Sequence, residues 1–306
     1  MQKAYEAAIL LQEKGNRIET LIKALEEQTI RPARIIAVCP PGREKGLFSG
    51  SAGASALCVV NTEGSGEGVL LSAAFREAKT ELLMVLKEGA CPGSAGFAET
   101  LLSDFEDPSV SAVYTTVFSN EKELCAPFVL DRTWLSYENI YSAKDIYKYG
   151  PVVFLHRAWS CMYRTADVRD VFLEPEGITH PEFMLNARLL YDGKKIVREE
   201  RVSSSYAPSF NAAVAFSEAF SVAAGVKLHY PYFGAGTVRL MPRLRSGYGE
   251  CREKAKEYMK THRAGIRKLR LSFLIASAEL GDYFGEHYHR LPAKLNRLLS
   301  RNPYFL

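Results

Sequence analysis

The stretch Ala78-Lys-Thr-Glu-Leu-Leu-Met-Val-Leu-Lys-Glu-Gly-Ala-Cys-Pro92 decides the fold of this 306-residue chain. Its first residues indicate the end of a helix and a turn. Leu82–Leu86 is a continuous apolar run bounded by polar residues, which predicts a short buried strand. The loop predicted after it, Lys87–Pro92, carries a lysine and a glutamate but no aspartate.

Strand-like and helix-like segments alternate on both sides of this stretch. The predicted strands are Ala7–Leu11, Arg34–Val38, Leu82–Leu86 and Val110–Val117. Helices are predicted between them, around Ile18, Leu21, Ile22 and Leu25 at helical spacing, then over Gly68–Ala78 and Gly96–Phe105. This order predicts an α/β fold with a mainly parallel sheet, whose ligands bind at the carboxyl ends of the strands.

The second half of the chain changes character at about residue 210. Residues 118–150 predict a variable loop, followed by strands at Val152–Leu155 and Ser160–Tyr163 and a helix at Pro181–Leu190. After residue 210 strand patterns vanish, and helices are predicted over Gly249–Tyr283 and Pro292–Ser300. We therefore expect an α/β domain over residues 1–210 and a helical extension over 211–306.

Composition is that of a globular protein, with 47% hydrophobic and 24% charged residues. No apolar run reaches 18 residues and the first residues do not resemble a signal sequence, so no transmembrane helix or secretion is expected. The six cysteines are scattered without a C-x-x-C pair, which favours reduced thiols over disulfides or a zinc site. These features predict a cytoplasmic protein.

Positive charge is concentrated in one segment, although the net charge is only +4. From Arg239 to Arg270 there are eleven Lys or Arg residues against three Glu, a local net of 11 − 3 = +8. The segment is either a solvated helix face or a site that attracts an anionic membrane surface or a lipid diphosphate. Nucleic acid fits less well, because few aromatic residues interleave with the basic ones.

Several segments together resemble the family 2 glycosyltransferases, and within them the bacterial rhamnosyltransferase-like group. The segments, in order, are Asn16–Gln28, Pro32–Val38, Ala78–Leu83, Phe105–Tyr114, Tyr163-Arg164 with Ala187–Ile196, Ser209–Gly225 and Leu291–Leu306. The resemblance implies a GT-A fold. It also implies inverting transfer of a sugar, with rhamnose as the candidate, from a nucleotide sugar to a lipid-linked or cell-surface polysaccharide acceptor.

The resemblance also implies positions for the working residues. The family's nucleotide-binding turns correspond to Leu10–Glu13 and Cys39–Arg43, which makes Glu13 and Arg43 candidates for binding the nucleotide sugar. Its metal-binding aspartate corresponds to Gly89, with Glu88 one place earlier, and its later histidine ligand to Ser204-Ser205-Tyr206. Glu88 alone could offer a ligand to Mg²⁺ or Mn²⁺, so no metal or other cofactor is assigned. The family's catalytic base corresponds to Glu182.

Sugar transfer needs a base for the acceptor hydroxyl and positive charge for the departing diphosphate. Glu182 is the candidate base, although an acidic residue there would also stabilise the helix that starts after Pro181. Candidate cations for the diphosphate are Arg43, Lys87, Arg157 and Arg164. Each could equally be a surface cation, and His180 beside the base position could be a surface residue.

Two functions are therefore open. The first is an inverting glycosyltransferase, cytoplasmic and peripheral at the inner face of the cell membrane through residues 239–275. The second is a non-catalytic glycosyltransferase-like protein that binds a glycan, a nucleotide or a partner enzyme. The resemblance favours the first, and the missing metal ligands favour the second.

Overall fold

The computed structural model describes residues 4–11, 18–43, 57–118, 138–149, 153–157, 159–171, 173, 180–206, 211–228, 265–300 and 305. Glu13 and most of the basic segment from Arg239 lie outside these residues. The strands are β1 (Tyr5–Leu10), β2 (Ile35–Cys39), β3 (Leu57–Asn61), β4 (Leu82–Lys87), β5 (Ala90–Pro92), β6 (Val110–Phe118), β7 (Ile140–Tyr141), β8 (Ser160–Arg164) and β9 (Lys195–Tyr206).

Helices alternate with these strands and then follow them. They are α1 (Ile18–Glu26), α2 (Glu67–Glu77), α3 (Phe97–Asp104), α4 (Ala143–Tyr149), α5 (Thr165–Val168), α6 (Glu182–Tyr191), α7 (Ala212–Leu228), α8 (Gly265–Glu286), a 3-10 turn at Tyr288–Arg290, and α9 (Ala293–Ser300). After β9 every described element is helical. No helix among the described residues is long and apolar enough to cross a membrane.

The strands form one sheet in the order β3-β2-β1-β4-β8-β6-β9-β5, with β7 also paired to β9. The first four strands of this order are parallel, as are β6 and β9. Strand β8 lies antiparallel between β4 and β6, and β5 and β7 lie antiparallel to β9. The predicted α/β fold with a mainly parallel sheet is confirmed.

Helices cover both faces of the sheet, because side chains of successive residues in a strand point to opposite faces. On β1, Ala8 and Leu10 pack with α2 and α6, whereas Ala7 and Ile9 pack with α1 and α3. All six residues of β1 are buried, which agrees with the apolar run that begins at Ala7, after Glu6. Two cores therefore flank the strands and hold their ends in fixed positions.

Helices α7 and α8 pack closely along two glycines. A Cβ atom on Gly281 would lie 2.2 Å from the carbonyl oxygen of Phe216, and one on Gly285 would lie 2.3 Å from that of Phe220. Only glycine allows the two backbones to approach this closely. On its other side α7 contributes Val222 and Val226 to the core shared by β1, α2 and α6.

Three local predictions were wrong. The loop predicted at Lys87–Pro92 contains strand β5, which pairs with Ser204–Tyr206 of β9. The strand predicted at Val152–Leu155 is absent, since Val153 and Phe154 adopt a 3-10 conformation. The region predicted as a variable loop contains β7 and α4 in its described part. Strands β5 and β7 form through their pairing with β9, so long-range pairing overrides the local pattern there.

Candidate functional site

Charged side chains converge at the carboxyl edge of the parallel strands. Strand β1 lies between β2 and β4, and main-chain hydrogen bonds continue beyond the strand ends. The amide of Leu11 donates to Val38 (2.9 Å), and the amide of Glu88 donates to Leu10 (3.0 Å). The Lys87 amide donates to Trp159, just before β8, at 2.9 Å. The residues that follow β2 and β4 are therefore held side by side.

Arg43 and Glu88 form the first ion pair of this edge. One terminal nitrogen of Arg43, Nη2, lies 2.9 Å from both carboxylate oxygens of Glu88. Both side chains are largely buried. The structure thus brings together two residues that the sequence assigned to nucleotide-sugar binding, and they contact each other.

The metal ion implied by the resemblance does not fit the positions where the family would hold it. Gly89 has no side chain, and its φ of +89° in the turn between β4 and β5 favours glycine over aspartate. Both oxygens of Glu88 accept from Arg43. Ser204 and Ser205 pair with β5 through the strand backbone and supply no carboxylate or imidazole.

Two further cations line the same edge. Lys87 Nζ lies 3.4 Å from Glu67 Oε1, at the first residue of α2. Arg157 Nη1 lies 2.7 Å from Glu218 Oε2 of α7, and its guanidinium sits 4.8 Å from the centre of the Trp159 ring. Arg157 is therefore fixed by an ion pair and a cation–π contact.

His180 and Glu182 lie where the chain enters α6. His180 adopts φ +64°, an uncommon conformation for a residue with a side chain. Its Nδ1 lies 3.5 Å from Glu182 Oε1, its Nε2 lies 4.0 Å from Glu218 Oε2, and its ring stacks on Phe183. Pro181 ends this turn, and Glu182 is the first residue of the helix.

Glu182 is a buried carboxyl group without a hydrogen-bond partner in the described part of the chain. The residue is 0% exposed, and neither side-chain oxygen is bonded. Burial raises the pKa of Glu182 to about 7, against the opposing effects of Arg157 and Lys87. A carboxyl group with such a pKa can gain and lose a proton near neutral pH, as a general base must.

The neighbours of Glu182 have shifted pKa values of their own. Burial, reinforced by Arg157, lowers the pKa of His180 to about 3, so its imidazole is neutral. Burial alone would raise the pKa of Glu218, but the adjacent Arg157 guanidinium lowers it to about 2. The edge thus combines fixed charges with one carboxyl group that titrates near pH 7.

The structure brings Arg43, Glu88, Arg157 and Glu182 to one edge but not Arg164. Strand β8 runs antiparallel to β4, so Arg164, its last residue, pairs with Leu82, the first residue of β4. There its guanidinium donates to Glu81 at 2.6 Å and lies over the Phe105 ring. Arg164 therefore belongs to the opposite edge and is not part of the candidate site.

Sequence reasoning did not select Glu67, Trp159 or Glu218. Glu218 is the only charged residue between Ala212 and Val226, in an otherwise apolar and small-residue helix. An isolated carboxylate in such a helix requires a buried partner, and this signal could have identified it. Its partners, Arg157 and His180, are distant in sequence, so the pattern alone could not name them.

Comparison with known proteins gives information on the fold. A scan against protein-family models and a search of curated proteins gave no match. Among solved structures, the mannosyltransferase PcManGT from Pyrobaculum calidifontis in complex with GDP-Man and Mn²⁺ is similar, with a TM-score of 0.59 and 11% identity, over 93% of this chain and 88% of that chain.

Two further structures are similar. S. aureus TarS 1–349 in complex with UDP-GlcNAc has a TM-score of 0.52 and 11% identity over 94% of this chain and 91% of that chain. Glucosyl-3-phosphoglycerate synthase from Mycobacterium tuberculosis, in complex with Mn²⁺, UDP and phosphoglyceric acid, has a TM-score of 0.50 and 10% identity over 72% of this chain and 76% of that chain. The predicted GT-A fold is thereby confirmed; at these identities the likeness is one of fold.

We predict that Glu182→Gln changes the pH dependence of stability. The pKa of Glu182 is about 7 in the folded protein and near 4.3 in an unfolded chain. Between these values the folded state keeps a proton that the unfolded state releases, so the wild-type unfolding free energy falls as pH rises. Glutamine removes this fall. The variant should match wild type near pH 4.5 and exceed it above pH 7, by on the order of a few kcal/mol.

Chemical denaturation between pH 4.5 and 8.5 measures this difference. The groups that face Glu182 and could contribute their own pH dependence are Glu67, Lys87, Arg157, His180 and Glu218. All five remain in the variant, so the difference isolates Glu182. The exposed Glu106→Gln serves as a matched control and should follow wild type. A constant offset between Glu182→Gln and wild type at every pH would contradict the prediction.

Proposed function

We propose that the protein is a glycosyltransferase that moves a sugar from a nucleotide sugar to an acceptor hydroxyl with inversion. The observation that carries this proposal is the meeting of Glu182, buried and unpartnered, with the cations Lys87 and Arg157 at the carboxyl edge of a GT-A sheet. Ligands of open α/β sheets bind at this edge. The similarity to structures that hold GDP-Man or UDP-GlcNAc supports a nucleotide sugar as donor.

In the proposed reaction the acceptor oxygen attacks the anomeric carbon while the bond to the nucleoside diphosphate breaks. Glu182 takes the proton of the acceptor hydroxyl, and the diphosphate leaves with the bonding electron pair. Arg157, Lys87 and Arg43 supply the positive charge that stabilises the leaving group, in place of a metal at Gly89. For this, substrate phosphates must replace carboxylates that now pair with these cations.

The finer identity of the substrates rests on the sequence resemblance. It supports rhamnose as the sugar and a lipid-linked or cell-surface polysaccharide as the acceptor. A lipid-linked acceptor would require the protein to work at a membrane surface, which agrees with the proposed peripheral contact at the inner face of the cell membrane.

The second candidate is a non-catalytic protein that keeps the fold and binds a nucleotide, a glycan or a partner enzyme. One observation favours it: Arg43, Lys87 and Arg157 are each paired with a carboxylate. Glu182 is also inaccessible to an acceptor in this conformation. The binding and turnover experiments below separate the two candidates.

We predict that nucleotide-sugar binding does not require magnesium. A ligand at a hundred times its dissociation constant stabilises the protein by about 2.7 kcal/mol, which a thermal-shift screen of nucleotide sugars resolves. The best ligand is then titrated by calorimetry in Mg²⁺ and in EDTA, and the affinities should agree. Arg157→Gln should weaken binding by roughly tenfold to a hundredfold through loss of a charge-assisted hydrogen bond.

Arg188→Gln is the matched control, because Arg188 is half-exposed on α6 and pairs only locally with Asp192 among the contacts found. It should leave binding unchanged. A hundredfold loss of affinity in EDTA would contradict metal-independent binding. If no nucleotide sugar stabilises the protein, the transferase proposal fails.

We predict that Glu182→Gln lowers turnover by roughly 10²–10⁴-fold and leaves donor affinity within about threefold of wild type. Glutamine keeps the shape of glutamate but cannot accept the proton. Steady-state transfer and calorimetry on the same preparation test both parts. Turnover close to wild type would remove Glu182 from the mechanism, and wild type that binds the donor without transferring it would favour the non-catalytic candidate.

The proposed membrane contact rests on the described part of the basic segment. In α8, Leu271, Leu274 and Ile275 are buried and pack in the core, so these apolar side chains cannot contact a membrane. Leu269 and Phe273, four residues apart, are 77% and 65% exposed. They lie beside Arg270 and present one apolar stripe next to positive charge.

We predict that the protein sediments with anionic vesicles at low salt and is released at high salt. Each basic residue near an anionic surface contributes about 1 kcal/mol, and salt screens it. The double variant Leu269→Glu and Phe273→Glu should abolish sedimentation, whereas Tyr147→Glu, which alters an even more exposed aromatic on α4, should not. Wild type that stays in the supernatant with anionic vesicles at low salt would end the membrane proposal.

A further inference from the structure

Three metal-ligand side chains face one another at the candidate site. Glu67, His180 and Glu182 each offer one ligand atom, and these atoms all lie within 4.8 Å of one another. Glu67 starts α2, Glu182 starts α6, and His180 precedes Glu182 by two residues. The distances from His180 Nδ1 to Glu182 Oε1 and from Lys87 Nζ to Glu67 Oε1 are 3.5 and 3.4 Å.

The second observation is that the Glu182 carboxylate, which faces the other two ligands, lacks a hydrogen-bond partner. Neither of its oxygens has a hydrogen bond within the described part of the chain. The Glu182 side chain is 0% exposed and that of His180 is 8% exposed. Buried carboxylate oxygens are normally bonded, so an unbonded pair of them beside an imidazole and a second carboxylate points to a cation as the partner.

A carboxylate and a guanidinium lie on the far side of the histidine ring. Metal-bound histidine usually directs its second ring nitrogen to a carboxylate, which orients the ring and increases its basicity. Glu218 Oε2 lies 4.0 Å from His180 Nε2. Glu218 is held in turn by Arg157 at 2.7 Å. Glu218 therefore stands beside the second ring nitrogen without bonding it, and Arg157 holds Glu218 in that place.

We propose that Glu67, His180 and Glu182 bind a Zn²⁺ ion. One imidazole and two carboxylates suit zinc, whereas Mg²⁺ prefers oxygen ligands alone. With bonds of about 2.0–2.1 Å, the ligand atoms of a tetrahedral site stand roughly 3.4 Å apart. The pair His180 and Glu182 already meets this spacing, and the Glu67 ligand atom lies within 4.8 Å of both.

Lys87 is the built-in competitor for this site. Its ammonium lies 3.4 Å from Glu67, one of the three ligands. Zinc binding therefore requires Lys87 to release Glu67. Bound zinc would also occupy the carboxylate that serves as base, so it would inhibit transfer; this consequence alone rests on the proposed function.

The test uses the full chain, stripped of metal with a chelator that is then removed. Zn²⁺ is titrated in competition with a chromophoric zinc indicator, and Co²⁺ is followed by its visible absorption. We expect one ion per chain at the site. His180→Ala should weaken binding by roughly tenfold or more, and Glu218→Gln by roughly tenfold. His289→Ala removes an exposed imidazole and should leave the affinity unchanged.

Lys87→Met gives the result of opposite sign, because removal of the competing ammonium should tighten zinc binding. This outcome cannot come from partial unfolding, and circular dichroism of each metal-free variant verifies its fold. Equal affinities for wild type, His180→Ala and Lys87→Met would overturn the proposal, as would equal losses in His180→Ala and His289→Ala. No nucleotide sugar is present, so the result is independent of whether the transferase proposal holds.

Discussion

The structure depends on the hydrogen bonding of β1 to a parallel strand on each side. This arrangement sets the carboxyl ends of β1, β2 and β4 side by side and extends their pairing one residue beyond the strands. Three charged groups of the site follow from it, since Arg43 comes after β2, Lys87 ends β4 and Glu88 comes directly after β4. Without that alignment, the Arg43–Glu88 pair could not form across 45 residues of sequence.

Buried carboxylates at the two edges of the sheet differ in their hydrogen bonding. At the amino edge, Glu6 accepts from Arg34 at 2.9 Å and from the Lys79 amide at 2.6 Å, and Arg34 also holds Glu77. In that network the buried carboxylate has charged and main-chain hydrogen-bond donors, as a structural ion pair requires. At the carboxyl edge Glu182 is equally buried but lacks any such bond in the described residues. The contrast within one molecule supports the carboxyl edge as the candidate site.

The features that could be predicted from the sequence are those that a local residue pattern determines. Buried strands appear as apolar runs, so the α/β order, the position of β4 and the start of α6 at Glu182 could be foreseen. Strand β5 is three residues long and exists only through its pairing with β9, which no local pattern shows. Arg164 was misplaced because the direction of β8 is a property of the sheet. Glu218 was missed because its partners come from distant segments.

The contact of Glu218 with Arg157 and His180 also changes how the chain is divided. Composition separates an α/β part up to residue 210 from a helical part after it. Yet α7, in the helical part, supplies the carboxylate that lies 4.0 Å from His180 and pairs with Arg157 at 2.7 Å. The same helix places Val222 and Val226 in the core that supports β1 and α6. One face of α7 packs in the core, and one of its residues, Glu218, belongs to the candidate site. Any displacement of the helical part must therefore alter the electrostatics around Glu182.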